Sequence, residues 1–193
     1  GFVWGGESPL STETWKVIDS ICHIYERNPS SLDKYMDRIE DEIDVVTLVH
    51  DDTVAPIVKE MKITDLYQRE WVDVIARECG HRPILARAQM HMHNILKDGK
   101  LHVDADRNRM RLWNVLISLY DDPSMGTTVI YPPKTTEKTI RRATPIAVAA
   151  PSHHYFIMDA NTLHFREGAK CNAKKRRMLV LTFSDRPVVG VEW

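Results

Sequence analysis

Nothing in the sequence approaches the roughly 18 consecutive apolar residues of a membrane-spanning helix, so no segment reads as a transmembrane anchor. An excess of one charge is missing too. The formal net charge of −1 at pH 7 supplies no long-range field that would recruit nucleic acid or an anionic membrane. Cysteine is scarce: Cys22, Cys79 and Cys171 are odd in number, far apart and without CxxC spacing. That argues against a disulfide framework and a thiolate zinc site, and predicts reduced thiols in a cytoplasmic protein. The first residues, Gly1-Phe2-Val3-Trp4-Gly5-Gly6, lack a charged n-region, an apolar h-region and an initiating Met, and read as a trimmed end rather than a secretory signal. No repeat, linker or low-complexity tract interrupts the chain. Its 193 residues therefore read as one domain over 1–193, long enough for a single core. Lys170, Lys174, Lys175, Arg176 and Arg177 make a local basic run, which in itself reads as a solvated loop.

What is present divides into a helical part over 1–80 and a β part over 83–186. Ser8 or Ser11 can cap a helix in which Trp15, Ile18, Cys22 and Tyr25 step by three and four, and Asn28-Pro29 stops it. Ser30 or Ser31 predicts the start of a second helix, with Leu32, Tyr35, Met36, Ile39 and Ile43 on one face. The β-branched run from Val45 to Val49 reads as a short strand. A further helix opens at Thr64, carries the stripe Leu66, Tyr67, Trp71, Val74, Ile75 and Cys79, and closes on Gly80.

From Pro83 onward, short apolar or alternating runs are punctuated by turn residues, the pattern of an antiparallel β region. Candidate strands run from Ile84 to Leu96, Leu101 to Asp104, Arg111 to Tyr120, Thr127 to Tyr131, Thr144 to Ala149, Tyr155 to Met158, Leu163 to Arg166 and Arg177 to Ser184. Helices followed by short strands give an α+β, mainly β fold: a double-sheet jelly roll buttressed by N-terminal helices.

The chemistry is carried by Lys100-Leu101-His102-Val103-Asp104. Residues two apart in an extended segment share a face, so the His102 imidazole and the Asp104 carboxylate can converge on one ion while Val103 packs away. His164, on a later strand candidate, offers the third donor. Two imidazoles and a carboxylate on one side of a metal, with three positions open, form the facial triad of non-haem iron(II) oxygenases. HxD alone is a weak signal. Here it follows a Gly-containing turn and precedes a long strand, a Gly-led strand, a histidine strand and a last strand opened by a basic residue.

These features, with Trp113 to Tyr120, Met125-Gly126-Thr127-Thr128-Val129-Ile130-Tyr131, His164 and Arg177 to Phe183, resemble the iron(II)/2-oxoglutarate dioxygenase superfamily over roughly Arg87 to Ser184, in particular its prolyl-hydroxylase-like branch. The resemblance implies a double-stranded β-helix, with Fe(II), 2-oxoglutarate and O₂ as cofactor and cosubstrates. It also implies decarboxylation to succinate and CO₂ coupled to hydroxylation of an unactivated C–H. It places Arg177 on the distal carboxylate of 2-oxoglutarate, a role suited to a planar two-donor fork. Arg176 is adjacent, and strand phase decides which of the two points inward. Asn94 stands where many members carry a tyrosine, and Met125-Gly126 where many carry two glycines. Asn94 and Asn114 are candidates to hydrogen-bond the cosubstrate, or are ordinary strand polar groups. The carboxylate at Asp104 implies hydroxylation rather than halogenation, since halogenating relatives carry a small residue there.

Other histidines and acids compete. His91-Met92-His93 also has two-apart spacing and can line a pocket. Asp106 repeats the spacing of Asp104 but falls toward a loop, while His81 and His153-His154 read as packing or surface residues. Two other functional classes share the jelly roll. A metal-binding cupin-type isomerase would draw more histidines from one motif and needs no last-strand Arg, and a non-catalytic binding module has no use for a complete triad. A nucleic-acid demethylase is kept open by the basic run and opposed by the overall charge. The substrate implied is a small molecule, an amino acid or a peptidyl side chain, and the N-terminal helices either complete its pocket or form a homodimer interface.

Overall fold

A computed structural model describes residues 2–39, 43–49, 63–93, 98–104, 111–119, 127–168 and 176–186. In chain order its regular elements are β1 (Phe2–Glu7), α1 (Thr12–Arg27), β2 (Met36–Ile39), β3 (Ile43–Val49), α2 (Arg69–Cys79), β4 (Ile84–His93), β5 (Leu112–Ser118), β6 (Thr128–Ile130), β7 (Ile146–Val148), β8 (His154–Asp159), β9 (His164–Arg166) and β10 (Arg176–Ser184). Antiparallel pairing builds a seven-stranded sheet in the order β1-β8-β5-β10-β4-β3-β2 and a three-stranded sheet in the order β7-β6-β9. The two sheets face each other, and the helices cover the outer face of the larger one. This is the jelly roll with N-terminal supporting helices expected from the pattern.

Each helix forms where its caps and apolar stripe agree. The Thr14 backbone N–H donates to Ser11 Oγ at 3.2 Å, starting α1, which turns Val17, Ile18, Ile21, Cys22 and Tyr25 inward. In α2, Trp71, Val72 and Ile75 are buried, and Gly80 ends the helix at φ 81°, a left-handed conformation that glycine adopts without a Cβ penalty. The core beneath these helices joins Ile18, Ile21, Trp71 and Ile75 to Val115, Ile117, Leu179, Leu181 and Phe183 of the large sheet. On the sheet's other face Leu116, Phe156, Met158, Met178 and Val180 pack on Ile130 and Val148 of the small sheet. Strand β10 is thus buried on both faces.

Four readings differ from the structure, the first being that the helix read from Thr64 is split into a 3-10 turn, Ile63–Leu66, and α2, whose start at Arg69 no side chain caps. The second helix over 32–43 is instead a 3-10 turn, Pro29–Tyr35, followed by β2. Met36 and Ile39 pair with Val46 and Ile43 of β3, so a spacing that fits a helical stripe is consumed by a hairpin, an instance of tertiary pairing overriding local pattern. The N-terminal stretch, assigned no element from sequence, is β1, paired with β8 at the sheet edge. From Leu101 to Asp104 a single bridge at His102 replaces the expected strand.

Asp44 lies buried on the helix-facing side of β3. It accepts hydrogen bonds from the Tyr25 hydroxyl and, at 2.8 Å, from Arg38 Nε. Burial by itself raises the Asp44 carboxyl. The bonds from Arg38 and Tyr25 and the charges of Arg38 and Arg177 outweigh it and hold the group below its ordinary value. A carboxyl depressed in the folded state contributes stability that is complete above the unfolded value, near 4, and is lost as pH falls through it toward the folded value. Asp44→Asn should therefore lower stability at pH 7 by about 1–3 kcal/mol, with the deficit shrinking below about pH 4. Denaturant titrations at both pH values check this, and a deficit independent of pH excludes the charge as its source.

Candidate metal centre

The segment carrying His102 and Asp104 has little regular structure of its own and is stitched to its neighbours by backbone bonds. Gly99 N–H donates to Arg166 O at 2.7 Å, His102 and His164 exchange N–H to O bonds at 2.9 Å each, and Asp104 N–H donates to Ala160 O at 2.9 Å. Gly99 faces β9 at ordinary contact distance, a Cβ there lying 3.4 Å from Arg166 Cβ. This pairing brings the two histidines opposite one another, with ring centroids 4.4 Å apart. One donor atom each from His102, Asp104 and His164 falls within 4.8 Å of the others.

The tautomers are set by the backbone. His102 Nδ1 lies 2.6 Å from Lys100 O, and His164 Nδ1 lies 2.9 Å from Thr162 O. A carbonyl only accepts, so each Nδ1 carries the proton and each Nε2 keeps its lone pair. Those two Nε2 atoms face Asp104, at 3.2 Å to Oδ1 from His102 and 3.5 Å to Oδ2 from His164. Burial pushes the His164 ring below its ordinary value despite Asp104 and the Thr162 carbonyl, which act the other way. Burial raises the Asp104 carboxyl; in the metal-free cluster a proton taken up on His102 Nε2, donated to Asp104, and the positive charges that His164, His102 and His91 carry when protonated outweigh it and hold the group below the usual carboxylate value. Neutral imidazoles and an ionised carboxylate are the protonation states a divalent cation requires.

Beside this cluster a cavity of about 290 Å³ opens between the sheets. Leu116, Met178 and Val180 give it an apolar wall. His91, His93, Thr128 and Arg176 give it a polar one. Arg176 donates to Thr127 O at 3.2 Å and to Thr128 Oγ1 at 2.6 Å. Burial, with Arg166 nearby, pushes its guanidinium down to about 10, still protonated near neutrality. Burial likewise pushes His91 down to about 4 and His93 well below its ordinary value. His91 Nε2 and His93 Nδ1 are buried without a hydrogen-bond partner among the described residues. Buried donors in that condition are costly unless something in the cavity satisfies them.

Arg177, favoured from sequence for the cosubstrate, does not face this cavity. Alternation along β10 turns it to the helix side, where it is fully buried 5.1 Å over the Tyr25 ring and 3.6 Å from Glu26. The phase places Arg176 in the cavity instead. Asn114 is near the site but engages Asp104 rather than the cavity, donating from Nδ2 to Oδ2 at 2.7 Å. Asn94 and Asp106 lie outside the described residues. His153 stacks on Trp15 at 4.2 Å, a packing role as expected. The sequence reading gave no site role to Thr128 or Thr182; Thr182 is made relevant by its cross-strand partner Asn114, and Thr128 by Arg176, which reaches it from the facing sheet.

No sequence-family model and no curated protein sequence matches the chain. Solved structures do. An oxidoreductase of the 2OG-Fe(II) oxygenase family from Burkholderia pseudomallei superposes with a TM-score of 0.59 at 16% identity, over 88% of this chain and 90% of that one. The epimerase SnoN from nogalamycin biosynthesis, in complex with Fe3+, alpha ketoglutarate and nogalamycin RO, gives 0.68 at 12% over 96% of this chain and 79% of its own. EctD from S. alaskensis, with 2-oxoglutarate and 5-hydroxyectoine, gives 0.69 at 15% over 95% of this chain and 72% of its own. Identities this low carry the fold and no more: the chain has the double-stranded β-helix architecture of iron(II)/2-oxoglutarate oxygenases.

Proposed function

We propose that this protein is an iron(II)- and 2-oxoglutarate-dependent oxygenase that hydroxylates an unactivated C–H of a small molecule, amino acid or peptidyl side chain. The observation that carries the reading is the convergence of His102 Nε2, His164 Nε2 and the Asp104 carboxylate at the edge of a cavity whose polar wall holds Arg176. The donor set fits iron(II): two neutral imidazoles and one carboxylate, all from a single side, leave three coordination positions open. Iron with 2-oxoglutarate and O₂ supplies oxidative decarboxylation to succinate and CO₂ coupled to hydroxylation.

The chain's own residues do the rest. Arg176 is the cation for the distal carboxylate of the 2-oxo acid, its fork suited to two parallel charged hydrogen bonds. His91 Nε2 and His93 Nδ1, buried without a hydrogen-bond partner among the described residues, are donors for the remaining oxygens of a dianion in the same cavity. Leu116, Met178 and Val180 keep that cavity poor in water, which strengthens each charged contact and limits side reactions. Asp104 fills the place a halide would need, favouring hydroxylation. A cupin-type isomerase or a binding module accounts for the three ligands but gives no role to a buried arginine in one cavity with two imidazoles that each keep a ring nitrogen without a partner among the described residues.

The near-zero net charge supports a small or peptidyl substrate over nucleic acid, and no helix among the described residues is long and apolar enough to cross a membrane. Homodimerisation through the N-terminal helices and a cytoplasmic location belong to the same proposal. The test is an anaerobic titration of the iron(II)-loaded protein with 2-oxoglutarate, followed by admission of O₂ and assay for succinate. Saturable one-to-one binding and succinate formation are expected. Absence of binding to protein shown to contain iron removes the proposal.

A further inference from the structure

Beyond the three ligands, two buried polar side chains of the large sheet form a chain that ends on the metal carboxylate. Asn114 of β5 and Thr182 of β10 are register partners, each 2% exposed. Thr182 Oγ1 donates to Asn114 Oδ1 at 2.9 Å, and Asn114 Nδ2 donates to Asp104 Oδ2 at 2.7 Å. The order of donors is forced. An ionised carboxylate only accepts, so the amide must present its NH₂ to Asp104 and its oxygen to the threonine, and only a hydroxyl or another donor at 182 can meet that oxygen. The opposite amide orientation would set two acceptors against each other in a buried place, at a cost of about 1–3 kcal/mol.

We infer that Asn114, oriented by Thr182, is a positioning residue that occupies Oδ2 of Asp104 and so makes this carboxylate bind the metal through one oxygen. The inference rests on the metal-centre reading above. Its consequence lies in coordination number. A carboxylate bound through one oxygen gives, with two imidazoles, three protein donors and three open positions; bound through both, it leaves two. Asn114 is thereby a determinant of how many positions the protein leaves free. The placement suits the task, because β5 and β10 are central strands of the seven-stranded sheet and both are packed on two faces, so the relay starts from a rigid base. The Asp104 segment, in contrast, has little regular structure and is held by the bridge at His102 and one backbone bond each at Gly99 and Asp104. Outer partners of this kind orient a ligand that its own backbone holds loosely.

The test uses Co(II) as the probe, with Asn114→Ala, Thr182→Val and Thr182→Ser in the full chain. Asn114→Ala should weaken Co(II) binding by roughly 10–100-fold and shift the visible ligand-field bands at saturating metal, because the freed oxygen joins the coordination sphere. Thr182→Val should move both readouts in the same direction, and Thr182→Ser, which keeps the hydroxyl, should restore both. A merely structural role would lower the melting temperature without altering the saturated spectrum. Wild-type affinity and bands in Asn114→Ala overturn the inference. Should that variant not fold, identical spectra for Thr182→Val and Thr182→Ser overturn it as well. Wild-type protein that binds no Co(II) sinks the functional proposal itself, which separates the two failures.

Discussion

Asp104→Ala should abolish iron(II)-dependent succinate formation and reduce iron(II) affinity by more than the roughly 10–100-fold that loss of an outer partner costs. The carboxylate is the charged member of the cluster His102, Asp104 and His164. Without it, two neutral imidazoles remain, with no charge to offset desolvation of a hard divalent cation. The same change orphans Asn114 Nδ2, which donates to Asp104 Oδ2, so the metal-free variant should also lose stability by about 1–3 kcal/mol. These two effects separate experimentally. Metal content after anaerobic loading and desalting reads the first, and denaturant unfolding of the metal-free protein reads the second. Asp104→Asn keeps an oxygen acceptor for Asn114 and should recover much of the stability while recovering little of the metal binding. Wild-type iron content in Asp104→Ala would mean that the three donors meet without forming the site.

How far these side chains could be placed from sequence depended on whether the relevant signal is local. The His102-Val103-Asp104 spacing is local, since alternation of an extended segment puts both donors on one side whatever the rest of the fold does. The amphipathic stripes of α1 and α2 are local as well: α1 lies where spacing and its Ser11 cap put it, and α2 closes on Gly80 as read but starts at Arg69 rather than Thr64, after a separate 3-10 turn over Ile63–Leu66. The stripe from Leu32 to Ile43 satisfied the helical period equally well, yet Met36 and Ile39 are held by hairpin pairing with β3, a bond pattern with no trace in the stripe. Asn114 shows a subtler limit. Its residue type announced a polar contact, but whether that contact is cosubstrate or carboxylate depends on the register of β5 against β10 and on the path of residues 98–104. Thr182, one of several polar residues on an otherwise apolar strand, becomes informative only once Asn114 is known to lie beside it.

The arginine pair illustrates a different obstacle and supplies a decisive experiment. Phase is readable in a strand with one wet face, because apolar and polar residues alternate. In β10 both faces are buried: Leu179, Leu181 and Phe183 meet the helices, while Met178 and Val180 meet the small sheet. Alternation is erased, and Arg176 and Arg177 are indistinguishable by pattern. The fold separates them fully. Arg176→Ala should raise the dissociation constant for 2-oxoglutarate on iron-loaded protein by about 30-fold or more, the equivalent of about 2 kcal/mol or more for truncating one partner of a buried charge pair. Arg176→Lys should recover only part of that, since a point charge replaces a two-donor fork. Stability should move the other way. Burial and Arg166 push the Arg176 guanidinium down to about 10, so its charge is disfavoured in the folded cavity, and the metal-free Ala variant should melt no lower than wild type. Arg177→Ala should show the mirror image. That residue is packed on Tyr25, lies 3.6 Å from Glu26 and donates to His93 O at 3.1 Å, so its loss should cost about 1–3 kcal/mol of stability. At temperatures where the variant is folded, 2-oxoglutarate affinity should stay within about threefold of wild type, the span of a shift under 1 kcal/mol. Isothermal titration and thermal melting on the two variants check all four quantities. Selective loss of 2-oxoglutarate affinity in Arg177→Ala, with Arg176→Ala unaffected, would reassign the cosubstrate cation to the other face of the sheet.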